Sequence, residues 1–283
     1  MLVTDLAQLN AKQCADELLN GSGAVRIRGV YSPTQINEAR EIVRDHCDRE
    51  PARMTHFNAE AEAGDKLALQ NRVWNLFNKG EVFTDMISHP AIFDIMNRFL
   101  GTAFICGSYC ASRLLPGCPG QEPHIDYPYW DLYEQASFPA GINSSFPMNA
   151  QATIVIDPFT AETGATAFLP GSQKDLRYPS QHDAARFFDE CERMTAEPGD
   201  LMFFFGAAWH CAMPNQSTQE RTGLLIEFLP KFITPVEDML TGLDDAFLNT
   251  ASAQIRQLLG QDYPYPQLFD EIAGGNAIGR NAD

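Results

Sequence analysis

Two histidines in this chain each follow a strand-like apolar run, and that placement constrains the fold more than any other feature. His124 comes after the run 103–115 and the turn-forming stretch Pro116-Gly117-Cys118-Pro119-Gly120, and His210 comes after the run 201–205. Each therefore sits at the end of a candidate strand, where a barrel opens. Strand side chains alternate, so His124 and Asp126, at i and i+2, point to the same side. His210, arriving from another strand, completes two imidazoles and one carboxylate on one face of a metal. That facial set leaves coordination positions open and suits non-haem Fe(II), which must bind a co-substrate and O2. Taken alone, His-x-Asp is a weak signal, because a His near an Asp is usually a hydrogen-bonded surface pair.

Arg221 stands eleven residues after His210 and opens a third strand-like run, 222–229. Between them lies Met213-Pro214-Asn215-Gln216-Ser217, rich in turn formers. The spacing predicts that His210 and Arg221 face each other across a hairpin. The planar fork of Arg holds a carboxylate through two parallel hydrogen bonds. A diacid such as 2-oxoglutarate can chelate iron through its 2-oxo acid end and rest its far carboxylate on Arg221. The alternative is that Arg221 opens a strand and is solvated.

Three blocks resemble the phytanoyl-CoA dioxygenase family, a branch of the Fe(II)/2-oxoglutarate oxygenases. They are Pro123-His124-Ile125-Asp126, the segment from Asp157-Pro158-Phe159 to Leu169-Pro170-Gly171-Ser172-Gln173, and the segment from Pro198-Gly199-Asp200 through Trp209-His210 to Asn215 and Arg221. Gly23-Ala24-Val25-Arg26-Ile27-Arg28-Gly29-Val30 looks like the family's opening strand, so the likeness covers roughly residues 20–230. The resemblance implies a double-stranded β-helix (a cupin-like jelly roll), ferrous iron, 2-oxoglutarate and O2. It implies His124, Asp126 and His210 as iron ligands, Arg221 as the clamp on the distal carboxylate, and Gln151 and Cys110 at co-substrate positions. Many relatives carry Ser two residues after the distal His; here Ala212 stands there, and Ser112 or Tyr109 is the candidate replacement. The usual His after Pro-Gly-Ser is Gln173. Related halogenases lack the carboxylate ligand; Asp126 is present, which favours oxygen transfer.

Composition narrows the partners. The 283 residues, 45% hydrophobic, suffice for one large core, read as a single domain: a helical part at about 1–102, a β-helix core at about 103–230 and a helical tail at 231–283. A net charge of −17 excludes a basic footprint for nucleic acid. The seven cysteines form no zinc spacing and read as reduced thiols of a cytoplasmic protein. Cys211 and Trp209, beside His210, are read as packing residues. No run reaches transmembrane length and no signal peptide is evident, so no membrane partner is expected. A small-molecule substrate is expected; monomer and homodimer stay open.

Along the chain, periodicity predicts a helix over 5–20, a strand over 24–28, a helix from a Ser32–Gln35 capping box to about Arg49, and a helix over 90–100. Residues 51–70 read as a loop, part of a lid in one reading. Strands are expected at 103–115, 147–156, 165–169, 193–196, 200–206 and 221–229, and a helix at 182–191. The tail from Pro235 is expected to be helical, then loop-like at Tyr263-Pro264-Tyr265-Pro266. The stretch 127–147 carries Tyr127, Tyr129, Trp130, Tyr133, Phe138 and Phe146. These line a substrate pocket or form the loop's own core, with Tyr127 and Trp130 the pocket candidates.

Three functions compete on these residues: an oxygenase, a non-catalytic jelly roll that binds a metal or small acid, and a cupin-like metalloenzyme that does not use 2-oxoglutarate. Arg221 discriminates, because it has no obvious role unless a diacid binds.

Overall fold

The computed structural model describes residues 1–49, 52–53, 65–132, 146–175 and 177–261. Its strands are β1 Leu2–Asp5, β2 Ala24–Arg28, β3 Ala52–Arg53, β4 Gln70–Val73, β5 Ile105–Leu114, β6 Ala150–Val155, β7 Ala167–Phe168, β8 Glu192–Arg193, β9 Leu201–Phe204, β10 His210–Cys211 and β11 Arg221–Leu229. Eight form a large sheet in the order β1-β2-β9-β6-β11-β5-β4-β3, and three form a small sheet in the order β10-β7-β8. β1 and β2 run parallel, while the other pairs are antiparallel. Two sheets with flanking helices form the jelly-roll core expected from the sequence.

Alternation along each strand sorts the apolar residues into two cores. Val25, Ile27, Leu201, Phe203 and Ile154 belong to the larger one, with Ile36 and Val43 of helix Pro33–Arg49 and Ile92 and Met96 of helix Pro90–Phe99. Their strand neighbours Ala24, Met202, Phe204 and Val155 point the other way, into a smaller core with Phe159, Phe168 and Met194. Helices thus cover one face of the large sheet, and the small sheet packs on the other.

Helix Pro33–Arg49 starts with the capping box read from the sequence: Gln35 N–H donates to Ser32 Oγ at 3.3 Å, and Ser32 N–H to Gln35 Oε1 at 3.1 Å. The first helix differs from expectation. It runs Ala11–Asn20, because Leu2–Asp5 instead extends the sheet beside β2 and Asn10 caps the helix by accepting from Gln13 N–H at 3.1 Å. Residues 51–70 are not wholly loop either: Ala52–Arg53 and Gln70–Val73 pair with each other, and β4 pairs with β5. Residues 54–64, the bulk of the expected lid, lie outside the described residues, as do Tyr133, Phe138 and the Tyr263–Pro266 loop. The tail is irregular over 230–244 and becomes helical only at Asp245–Thr250 and Ala253–Leu258. Among the described residues no helix is long and apolar enough to cross a membrane.

Candidate metal centre and its cavity

His124 and His210 are joined through their main chains. Each N–H donates to the other's carbonyl at 3.0 Å in an isolated antiparallel bridge. Residues opposed in such a bridge project to the same side, and the two rings lie 4.4 Å apart between centroids. His124 Nδ1 is 2.8 Å from the Glu122 carbonyl and His210 Nδ1 is 2.9 Å from the Ala208 carbonyl. A carbonyl only accepts, so each Nδ1 carries the proton and each Nε2 presents its lone pair. Both Nε2 atoms turn to Asp126, at 3.2 Å from His210 and 3.9 Å from His124. One ligand atom from each residue fits within 4.8 Å of the others, a spacing that can hold a metal ion. Asp126 is fixed by its own main chain, which donates to the Gly206 carbonyl at 2.9 Å and accepts from Tyr129 N–H at 2.8 Å.

The charges respond to one another. Burial disfavours a charged His210, but the Asp126 carboxylate and the Ala208 carbonyl outweigh it, and the His210 pKa is raised. Burial likewise opposes ionisation of Asp126, yet His210, His124 and Arg72 hold its carboxyl below the ordinary value.

The hairpin expected between His210 and Arg221 is not formed. β10 pairs with β7 in the small sheet, and β11 lies between β5 and β6 in the large one. The intervening turn is tied by Asn215, whose Oδ1 accepts from Ser217 N–H at 3.0 Å and whose Nδ2 donates to the carbonyls of Leu114 and Gln219. It carries the chain from one sheet to the other, so His210 and Arg221 reach the same cavity from facing sheets.

That cavity, about 230 Å³, is lined by His124, Asp126 and His210 together with Arg221, Gln151, Cys110, Ser112, Tyr127 and Trp130. Arg221 is buried, and its guanidinium lies 4.3 Å over the Phe159 ring and donates to the Gly164 carbonyl. Gly164 has φ +83°, and a Cβ there would come 2.4 Å from the Met213 carbonyl oxygen, so only glycine presents that carbonyl so closely. Among the described residues no carboxylate forms an ion pair with Arg221, and its Nε has no hydrogen-bond partner. Burial pulls its pKa down to about 10. Cys110 Sγ accepts from Arg72 at 3.2 Å, and Ser112 Oγ accepts from Gln70 Nε2 at 3.2 Å. Tyr109 is on the opposite face of β5, packed on Phe77 and Phe83 with its hydroxyl donating to the Phe83 carbonyl, so of the two replacement hydroxyls only Ser112 faces the cavity. Gln173 instead ties down the end of helix Ala11–Asn20 through the Gly21 carbonyl at 3.1 Å.

The aromatic stretch after Asp126 divides. Tyr127 and Trp130 line the cavity, Tyr129 is buried against Phe205, and Phe146 is exposed and stacked on Phe232. Trp209 is buried with its indole donating to the Arg177 carbonyl at 3.0 Å, Cys211 lies in the larger core, and all seven cysteines are free thiols. Among the wall residues that sequence reading missed are Gln70, Arg72, Trp74 and Glu227. Their signal was alternation, since 70, 72 and 74 share one face of β4 and its extension, and 221, 225 and 227 share one face of β11.

Known proteins resemble this arrangement. The family model of phytanoyl-CoA dioxygenase (PhyH) matches residues 19–223. The dioxygenase cdmD of Talaromyces verruculosus is 26% identical over 231 residues, which cover 76% of this chain and 73% of that protein. Protein Rv1501 of Mycobacterium tuberculosis is 30% identical over 178 residues, 63% of this chain and 62% of its own length. The crystal structure of the epimerase SnoN in complex with Fe3+, alpha ketoglutarate and nogalamycin RO aligns with a TM-score of 0.61 at 16% identity, over 86% of this chain and 90% of that one, a likeness of fold. With a family match that spans more than two thirds of its length and includes His124, Asp126, His210 and Arg221, the chain belongs to the phytanoyl-CoA dioxygenase family.

Proposed function

We propose that the protein is an Fe(II)- and 2-oxoglutarate-dependent dioxygenase that hydroxylates an unactivated C–H bond of a small organic molecule. The observation that carries this reading is Arg221, a buried cation in the metal cavity with no carboxylate partner and an unpartnered Nε among the described residues. Burying an unpaired charge is costly. The distal carboxylate of a diacid supplies the missing anion and accepts from the guanidinium fork.

The donors fit ferrous iron: two neutral imidazoles with Nε2 forward and one carboxylate, with no thiolate among them. Bound there with 2-oxoglutarate and O2, the iron supplies the oxidation that turns C–H into C–OH, with succinate and CO2 as co-products. The chain's residues do the rest. His124, Asp126 and His210 would hold the ion, and the Glu122 and Ala208 carbonyls fix the ring tautomers. Arg221 orients the diacid, and Phe159 covers the guanidinium and keeps water from it. Gln151, Cys110 and Ser112 line the cavity and would form the wall against which the co-substrate rests, with Tyr127 and Trp130, also in the lining, left to flank the substrate. Because Asp126 occupies the position that a halide would need, the reading is oxygen transfer and not halogenation.

The test is an anaerobic titration of metal-free protein with Fe(II) and then 2-oxoglutarate, followed by the visible charge-transfer band of an iron–2-oxo acid chelate. The band should appear in the wild type and be absent from His210→Ala. Iron binding without a band would point to a metalloenzyme that takes no 2-oxo acid. No iron binding would leave a non-catalytic jelly roll.

A further inference from the structure

The cavity wall holds a second titratable group that the metal centre and Arg221 leave without a task. Glu227 sits on β11, on the same face as Arg221 and Leu225, and is 4% exposed. Its Oε1 accepts from Gln151 Nε2 at 3.4 Å, and Oε2 has no hydrogen-bond partner among the described residues. Among the described residues no lysine or arginine forms an ion pair with it. The neighbouring strand makes room for it: a Cβ at Gly107 would come 2.5 Å from Oε2, at the bulge where the β5–β11 register shifts.

A buried acid with an empty acceptor is costly to keep unless something completes it. Burial first, and then the charge of Asp126, push the Glu227 carboxyl well above the usual carboxylate range. Both effects favour the acid form of the group. Trp74, Tyr127 and Trp130 line the same cavity. Aromatic faces and a carboxylate are the two kinds of group that stabilise an organic cation. Arg72 lines the same cavity, but its guanidinium donates to Cys110 Sγ and lies 5.9 Å over the Trp74 ring, and its buried Nε has no partner among the described residues.

We propose that Glu227 sets the substrate class of this cavity by taking a protonated amine, held between its carboxylate and the rings of Trp74, Tyr127 and Trp130. The inference rests on the oxygenase reading only in naming that amine as the molecule oxidised; the binding itself needs no iron. When the ammonium docks it keeps its proton, and the Glu227 acid releases its own to solvent.

The experiment titrates the metal-free full chain with benzylammonium, benzyl alcohol or benzoate, followed by tryptophan fluorescence and by calorimetry in two buffers of different ionisation enthalpy. Benzylammonium is expected to bind at least about tenfold more tightly than benzyl alcohol, with benzoate weakest. Its binding enthalpy should depend on the buffer, which reports the released proton. Glu227→Gln should lose about tenfold in benzylammonium affinity and the buffer dependence, with unchanged thermal unfolding. Trp74→Leu, a variant of a different wall, should lose several-fold. Equal affinity for the alcohol and the ammonium, preference for benzoate, no benzylammonium binding, or full binding by Glu227→Gln would each overturn the proposal. The iron–2-oxoglutarate band separates the two readings: its absence from the wild type defeats the oxygenase and leaves the amine titration to be judged on its own.

Discussion

The two faces of the large sheet are built to different standards. The helix-covered face is mostly apolar: Ile27, Leu201, Phe203, Ile154 and Phe228 are fully buried and carry no polar side-chain atom, and by alternation Thr222 is an exception on this face, with a buried Oγ1 that has no partner among the described residues. The face turned to the small sheet is apolar at one end, around Met202 and Phe168, and polar at the other. There the buried atoms Arg221 Nε, Arg72 Nε and Glu227 Oε2 have no partner among the described residues. Native interiors pair nearly all such atoms, so a cluster of exceptions on one wall marks where a ligand completes the structure. Change on the outer face should therefore read out as stability, and change on the inner polar end as binding.

The strongest attempt to break that division is Asp126→Ala. Succinate formation should fall to background while thermal unfolding stays near wild type, since the Asp126 main-chain bonds to Gly206 and Tyr129 survive. Turnover in that variant would end the metal assignment. The counterpart on the outer face is Phe203→Ala, which should cost about 3–5 kcal/mol of folding stability in denaturant titration and leave 2-oxoglutarate affinity intact in the folded fraction. Arg221→Met sharpens the contrast. Losing two charge-assisted hydrogen bonds should weaken 2-oxoglutarate binding by roughly 100-fold with Fe(II) affinity unchanged. Without ligands the same variant should melt at the wild-type temperature or above it, because a buried unpaired charge has been removed. A large loss of ligand-free stability would mean that Arg221 is a structural residue. The smallest effect is expected at Asn10→Ala, where the lost helix cap should cost about 1 kcal/mol with no change in either ligand.

What could be read from the chain before folding follows the same line between local and non-local causes. The Ser32–Gln35 cap, the strand at 221–229 and the His124/Asp126 pair depend on neighbours within a few residues, and each is visible as a short pattern. The edge strand Leu2–Asp5 depends on β2, about twenty residues away, and its four residues carry too little periodicity to separate it from the helix that follows. The relation of His210 to Arg221 was misread because a turn-rich segment of that length usually closes a hairpin, whereas here it crosses between sheets. Glu227 was overlooked because a single acid in an apolar run looks like a solvated position until the sheet shows which way it points.

The bridge between His124 and His210 is made of main-chain atoms only. Neither imidazole is needed to hold the two strands at that distance, so the scaffold under the metal site does not depend on the identity of its ligands. Side chains can be exchanged there one at a time, and the chemistry of the centre can drift or be redesigned without renegotiating the path of the backbone.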